Sequence, residues 1–192
     1  MKYFYKDLTL DVTESVYMPK EDSELIAGVI EKLDIYNKNC LEIGCGSGFL
    51  SIIMAQRKAF VISVDINNEA VVATKHNAEQ NKAKINAFVS DLFENVKGTY
   101  DLIIFNPPYL PVDDWETDVA YAGGKTGRDI IERFIKDVKS YLNPGGVVLL
   151  LISSLTGEKE VLDTFKKYGM KTRAVARQKI PWEELIVIEC KK

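Results

Sequence analysis

Leu41-Glu42-Ile43-Gly44-Cys45-Gly46-Ser47-Gly48 decides how the rest of the chain is read. An apolar run at 40–43 leads into it, and helical spacing follows at about 49–58. Glycines at a strand end let the backbone pass close to a ligand with no Cβ in the way. The helix that follows opens with free N–H groups. The spacing is Gly-x-Gly-x-Gly, not the Gly-x-Gly-x-x-Gly of dinucleotide sites. A Gly-rich turn with a purely structural role is the other reading of these residues.

Working outward, short apolar segments stand at 61–64, 87–89, 102–105 and 147–152, with helical patterns at 68–81 and 128–142 between them. Ahead of the glycine turn, Leu25, Ile26, Val29, Ile30 and Leu33 recur with helical spacing over 22–36, and Asp22 or Ser23 is expected to cap that helix. Continuous apolar strands separated by helices describe a parallel sheet covered on both faces. Right-handed crossovers make it doubly wound. After a helix at 157–168, segments 173–177 and 185–190 are joined by a turn containing Pro181 with no helix between, so the sheet should close on an antiparallel strand. Alternation at Leu8, Leu10 and Val12 suggests a short strand or extended arm at the start. Without repeats or composition shifts, the expectation is one domain over 1–192: an arm, 1–21, and a core, 22–192. Met54, Phe134 and Val138 are read as core.

Composition narrows the function. The 192 residues are 46% apolar, within the globular range of about 45–50%. Lys and Arg total 25 against 28 Asp and Glu, a net charge of -3, without the basic surplus usual for duplex nucleic-acid binders. Six basic residues between Lys166 and Lys179 could touch phosphate, but a solvated face is the blander reading. The longest apolar run, 147–152, is far short of the ~20 residues of a membrane span. The first residues lack the apolar core of a signal peptide, so a cytoplasmic protein is expected. Cys40, Cys45 and Cys190 show no Cys-x-x-Cys spacing, and neither a disulfide framework nor a metal site is indicated.

Each expected strand end carries a polar feature. Asp65 closes the second strand, 21 residues after Gly44, where a carboxylate can accept both hydroxyls of a ribose. It could equally cap the helix at 68. Asp91 and Leu92 close the third strand, placed so that the carboxylate accepts an adenine amino group and the Leu92 N–H donates to the ring. Asn106-Pro107-Pro108-Tyr109 closes the fourth. Two consecutive prolines cannot donate and hold the chain extended, leaving the Asn106 side-chain oxygen and the Pro107 carbonyl as acceptors. Two acceptors suit an –NH2 group, and Tyr109 offers a flat face to a planar one. Accepting both hydrogens pushes electron density back toward a delocalised nitrogen, so catalysis would be positioning plus electrostatics. A rigid Pro-Pro turn is the structural alternative. The lone His76 falls mid-helix and is read as surface or packing.

These features at successive strand ends resemble the pattern of class I S-adenosylmethionine-dependent methyltransferases, from about Val16 onward. Val16-Tyr17-Met18-Pro19-Lys20-Glu21-Asp22-Ser23 and Ala122-Gly123-Gly124-Lys125-Thr126-Gly127-Arg128-Asp129 further resemble the HemK-like release-factor glutamine methyltransferases, in their archaeal and eukaryotic branch. That resemblance implies a seven-stranded sheet of order 3-2-1-4-5-7-6. It implies S-adenosylmethionine as cofactor, leaving as S-adenosylhomocysteine. Ser23, Glu42, Gly44, Gly46, Gly48, Asp65, Asp91, Leu92 and Asn106 would contact the cofactor. Asn106, Pro107 and Tyr109 would be catalytic, and with Pro108 and Arg128 would meet the substrate; Gly123, Gly124 and Arg128 also read as a plain loop-to-helix start.

The implied reaction is methylation of a glutamine side-chain amide in the Gly-Gly-Gln loop of a class I translation termination factor. A small zinc-ribbon activator, forming a heterodimer at the third-strand edge, is the implied partner. Asp113, Asp114, Glu116 and Asp118 would repel phosphates and tolerate a basic protein loop, or simply be solvated. A DNA or RNA amino-methyltransferase, a lysine methyltransferase and a non-catalytic cofactor-binding scaffold are the alternatives.

Overall fold

The strand period of two sorts the central apolar side chains into two sets. In β6 (Tyr100–Phe105), Leu102 and Ile104 join one buried cluster while Ile103 and Phe105 join another. β7 (Leu142–Ser153) and β9 (Glu183–Lys191) divide alike, with Leu149, Leu151, Leu185 and Val187 on one side and Val148, Leu150, Ile186 and Ile188 on the other. A sheet apolar on both faces has to be covered on both. The first cluster is closed by α1 (Glu21–Ile30), α2 (Phe49–Gln56) and α3 (Asn68–Gln80), the second by α4 (Asp129–Val138) and α5 (Glu158–Lys167). Met54, Phe134 and Val138 are fully buried, as expected of core.

The computed structural model describes residues 1–109 and 127–192. The acidic segment carrying Asp113, Asp114, Glu116 and Asp118, and the pair Gly123 and Gly124, lie outside the described residues. With β3 (Asn39–Ile43), β4 (Phe60–Asp65), β5 (Ile85–Val89) and β8 (Lys171–Ile180), the sheet runs β5-β4-β3-β6-β7-β9-β8. Counted from β3, this is the expected order 3-2-1-4-5-7-6, and β9 is antiparallel to both neighbours. The carboxyl ends of β3, β4, β5 and β6 therefore open on one crevice, where ligands of such sheets bind.

Three local expectations change. The arm is a hairpin rather than one strand: β1 (Lys2–Tyr5) pairs antiparallel with β2 (Leu8–Asp11). Tyr3 and Tyr5 present their edges to Phe49 of α2 at centroid distances of 5.4 and 5.0 Å, a contact invisible from the polar-flanked run itself. The first helix stops at Ile30, where two tight bonds, Lys32 N–H to Val29 and Leu33 N–H to Ile30, replace the α pattern. Its cap residue is Lys20, with no side-chain cap bond, so Asp22 and Ser23 sit inside the first turn. Elsewhere Arg173 pairs with Glu189, and Arg177 with Glu158 and Glu184, which uses two of the six basic residues in surface pairs. His76 is exposed, its ring 3.3 Å from Asp11. Among the described residues no helix is long and apolar enough to cross a membrane.

Candidate active site

The turn from β3 to α2 is shaped by backbone that only glycine adopts without strain. Gly44 and Gly48 have φ of +68° and +82°. A Cβ on Gly48 would stand 3.0 Å from the Thr74 Cα, so this glycine lets the turn lie directly against α3. Gly46 donates its N–H to Asp65 Oδ2 at 2.9 Å, and Asp65 Oδ1 accepts the Asn67 N–H at 2.9 Å. The cap of α3 is Asn67, whose side chain accepts from the Glu69 N–H, so helix capping is not the job of Asp65. Burial pushes the Asp65 carboxyl up against the opposing pull of these backbone N–H groups. A carboxylate oxygen offers about two lone pairs, so each still has capacity for a hydroxyl.

Beneath the turn, Glu42 is buried on β3 and accepts a hydrogen bond from the Ser51 hydroxyl of α2. Ser51 in turn lies 2.5 Å from the Ser63 hydroxyl on β4. Burial raises the Glu42 carboxyl to about 8 against the lowering pull of Ser51, with Asp65 adding a smaller upward push. Past β5, Asp91 Oδ2 accepts from Arg133 Nη2 of α4 at 2.7 Å, and Leu92 takes a left-handed conformation with φ +48°. Arg133 was not singled out from the sequence. Its helix face gives no hint that it reaches back to β5.

At the end of β6, Asn106 donates Nδ2 to Asp22 Oδ2 at 3.0 Å. The same Asp22 oxygen accepts the Tyr17 hydroxyl at 2.9 Å. Asp22 Oδ1 accepts the Ser23 N–H at 2.6 Å and the Ser23 hydroxyl at 3.2 Å. Because an ionised carboxylate only accepts, it dictates which end of the Asn106 amide faces it. The Asn106 Oδ1 therefore turns the other way, and it is buried with no hydrogen-bond partner among the described residues. Unsatisfied buried acceptors are rare in native proteins and call for a specific explanation. Asp22, expected only as a helix cap, is the residue that aims Asn106.

Ser23, Glu42, Gly44, Gly46, Asp65, Asp91, Leu92, Asn106, Pro107, Pro108 and Tyr109 all line one cavity of about 690 Å³. That volume falls within the range of about 300–1,000 Å³ typical of small-molecule sites. Asp22 and Arg133 line it as well. Gly48 stands behind the lining against Thr74. Arg128 is not part of the lining: its Nη1 donates to the Thr156 carbonyl at 2.6 Å and ties the start of α4 to the turn after β7. Tyr109 keeps its hydroxyl protonated, because burial and the nearby carboxylates of Asp22, Glu183 and Glu21 all push it upward. Chemically the cavity offers backbone curvature and carboxylates at one end, and an aimed acceptor beside an aromatic wall at the other.

Residues 20–179 match the family model described as the methyltransferase small domain. A Methanocaldococcus jannaschii protein named as a protein N5-glutamine methyltransferase is 47% identical over 94% of each chain. Human methyltransferase HEMK2 is 34% identical over 85% of this chain and 84% of its own. Among solved structures, the E. cuniculi Mtq2–Trm112 complex, responsible for methylation of the eRF1 translation termination factor, has a TM-score of 0.78 at 27% identity, covering 93% of this chain and 99% of that one. The chain is a methyltransferase of the small-domain family, and it belongs to the HemK-like group that these relatives represent.

Proposed function

We propose that the chain transfers a methyl group from S-adenosylmethionine to the side-chain amide of a glutamine in the Gly-Gly-Gln loop of a class I translation termination factor. The observation that carries this reading is the buried Oδ1 of Asn106, which has no hydrogen-bond partner among the described residues while Asp22 holds the Nδ2 of the same amide. It asks for a donor. The Pro107 carbonyl supplies the second acceptor for an –NH2 group, and Tyr109 with Pro108 walls a planar amide.

The residues present suit the cofactor. The Gly44–Gly46 backbone leaves room beside Glu42 and Ser23 for a methionine end. Asp65 has acceptor capacity for ribose hydroxyls, and Asp91 with Leu92 stands where an adenine edge would lie. Carboxylates at Asp65 and Asp91 favour a cationic ligand by charge. When bound, S-adenosylmethionine supplies an electrophilic methyl group on a sulfonium. The part of Asn106 and Pro107 is to hold both amide hydrogens, restoring electron density to a nitrogen whose lone pair is otherwise delocalised. That is catalysis by orientation and preorganised dipoles.

A small zinc-ribbon protein is the proposed partner. β5 ends the sheet, and Val89 on it is 41% exposed. An edge with apolar side chains suits an added strand. The deciding experiment follows methyl transfer from labelled S-adenosylmethionine to the termination factor, with and without that partner. Label lost when the Gly-Gly-Gln glutamine becomes alanine supports the reading. Equal labelling of the alanine form overturns it, and label entering RNA or DNA instead moves the substrate to nucleic acid.

A further inference from the structure

A second acceptor without a hydrogen-bond partner among the described residues belongs to the cavity lining, on an element that the glutamine chemistry leaves unused. β8 and β9 are joined at a tight turn in which Ile180 pairs with Glu183 across Pro181 and Trp182. Trp182 is 96% exposed with φ +76°, a conformation that glycine or asparagine usually takes after proline in such a turn. The tip therefore projects into solvent, while Ile180 and Glu183 on either side of it line the cavity. Glu183 Oε2 is buried and has no hydrogen-bond partner among the described residues, and the Glu183 charge is among those acting on the Tyr109 hydroxyl. Its neighbour Glu184 is different, being paired with Arg177 at 3.0 Å. One carboxylate of the hairpin is thus paired within the fold, and the other stands in the cavity lining with an oxygen left unpaired among the described residues.

Resting on the glutamine reading above, we infer that Glu183 is a substrate-specificity residue: its Oε2 accepts a main-chain N–H of the loop that carries the methyl-accepting glutamine. The two hydrogens of the target amide are already assigned to Asn106 Oδ1 and the Pro107 carbonyl. The donors left close to that glutamine are the main-chain N–H groups of the two glycines before it. A buried oxygen beside Tyr109 is reached by main chain only where no Cβ intervenes, which a glycine pair before the glutamine provides. Leaving a buried carboxylate oxygen unmatched disfavours any loop that cannot present the donor, so the contact selects as well as binds.

The test compares Glu183→Gln and Glu183→Ala in the full chain with its partner, using the termination factor and Gly-Gly-Gln peptides in which each glycine in turn is replaced by sarcosine. Sarcosine removes the N–H and keeps the residue small. Glu183→Ala is expected to lower kcat/KM roughly tenfold to a hundredfold, with S-adenosylmethionine affinity and Tm unchanged. Glu183→Gln, which keeps an acceptor oxygen, recovers most of the loss. One sarcosine peptide should be equally poor with the unmodified enzyme and suffer no further loss with Glu183→Ala, the coupling expected of two partners in one bond. Equal activity of Glu183→Ala and the unmodified enzyme overturns the inference. So does a Glu183→Gln variant as weak as Glu183→Ala, which would mean that a cationic side chain is read instead. An unmodified enzyme that labels neither factor nor peptide defeats the glutamine reading itself, and is told apart by that control.

Discussion

Replacing Asp22 by asparagine tests whether the acceptor in the site is aimed by a carboxylate. Asp22 uses both oxygens: Oδ2 receives Asn106 Nδ2 at 3.0 Å and the Tyr17 hydroxyl at 2.9 Å, and Oδ1 receives the Ser23 N–H at 2.6 Å. An amide has one acceptor end. If its oxygen stays toward Asn106, its –NH2 meets the Ser23 N–H, a backbone donor fixed in the first turn of α1. If it turns to satisfy Ser23, its –NH2 meets Asn106 Nδ2, and the Asn106 amide, which is free to rotate about its last torsion, turns its own –NH2 into the cavity. The second outcome moves only side chains and is the one expected. A hydrogen bond to a charged group contributes about 1.5–3 kcal/mol, so Asp22→Asn should lower kcat for methyl transfer by roughly tenfold to a hundredfold. Binding of S-adenosylmethionine, followed by calorimetry, should change by less than about threefold, since the altered contact faces the substrate side. Retention of the unmodified kcat would refute the argument that Asp22 orients Asn106. A loss confined to cofactor affinity would refute it equally, by placing Asp22 with the cofactor.

Other consequences follow from single contacts. Gly48→Ala combines a φ of +82° with a Cβ 3.0 Å from the Thr74 backbone, and should cost about 1–3 kcal/mol, read as a Tm lower by several degrees. Phe134→Ala empties a fully buried site between Phe93 and Phe105, whose rings lie 5.5 and 4.9 Å away, at a cost of about 3–5 kcal/mol in denaturant unfolding. Glu42 titrates near 8 in the fold and near 4.5 when unfolded, so the folded state holds the extra proton between those values. Its contribution is fully present below the unfolded value and is lost as pH rises through the folded one. Tm should therefore fall from pH 5 to pH 9, and Glu42→Gln should flatten that fall; an unchanged slope would show that the Glu42 carboxyl is not the group responsible.

Much of the fold was legible from local pattern because its causes are local. Unbroken apolar runs between helical stretches specify a parallel sheet, and the missing helix around Pro181 specifies the antiparallel end. The glycine turn, Asp65, Asp91 and the Asn106 motif could be placed together because a doubly wound sheet brings its strand ends to one crevice whatever the side chains are. A basic residue at a helix start, such as Arg128, reads alike whether it faces a ligand or a neighbouring carbonyl, and in the structure its Nη1 donates to the Thr156 carbonyl. The hairpin of the arm depended on Phe49, a residue of another element.

The architecture and the set of strand-end residues follow from local sequence, since periodicity and turn chemistry act over a few neighbours. How those residues are oriented is set by contacts made only in the packed chain. Asp22 meets Asn106 across 84 residues, Arg133 meets Asp91 across 42, and Glu183 reaches the cavity from the far end of the chain. No short-range rule carries such pairings. They arise because packing two helix layers on a twisted sheet brings distant side chains within hydrogen-bonding distance, where a buried polar atom must find a partner or be left facing a ligand.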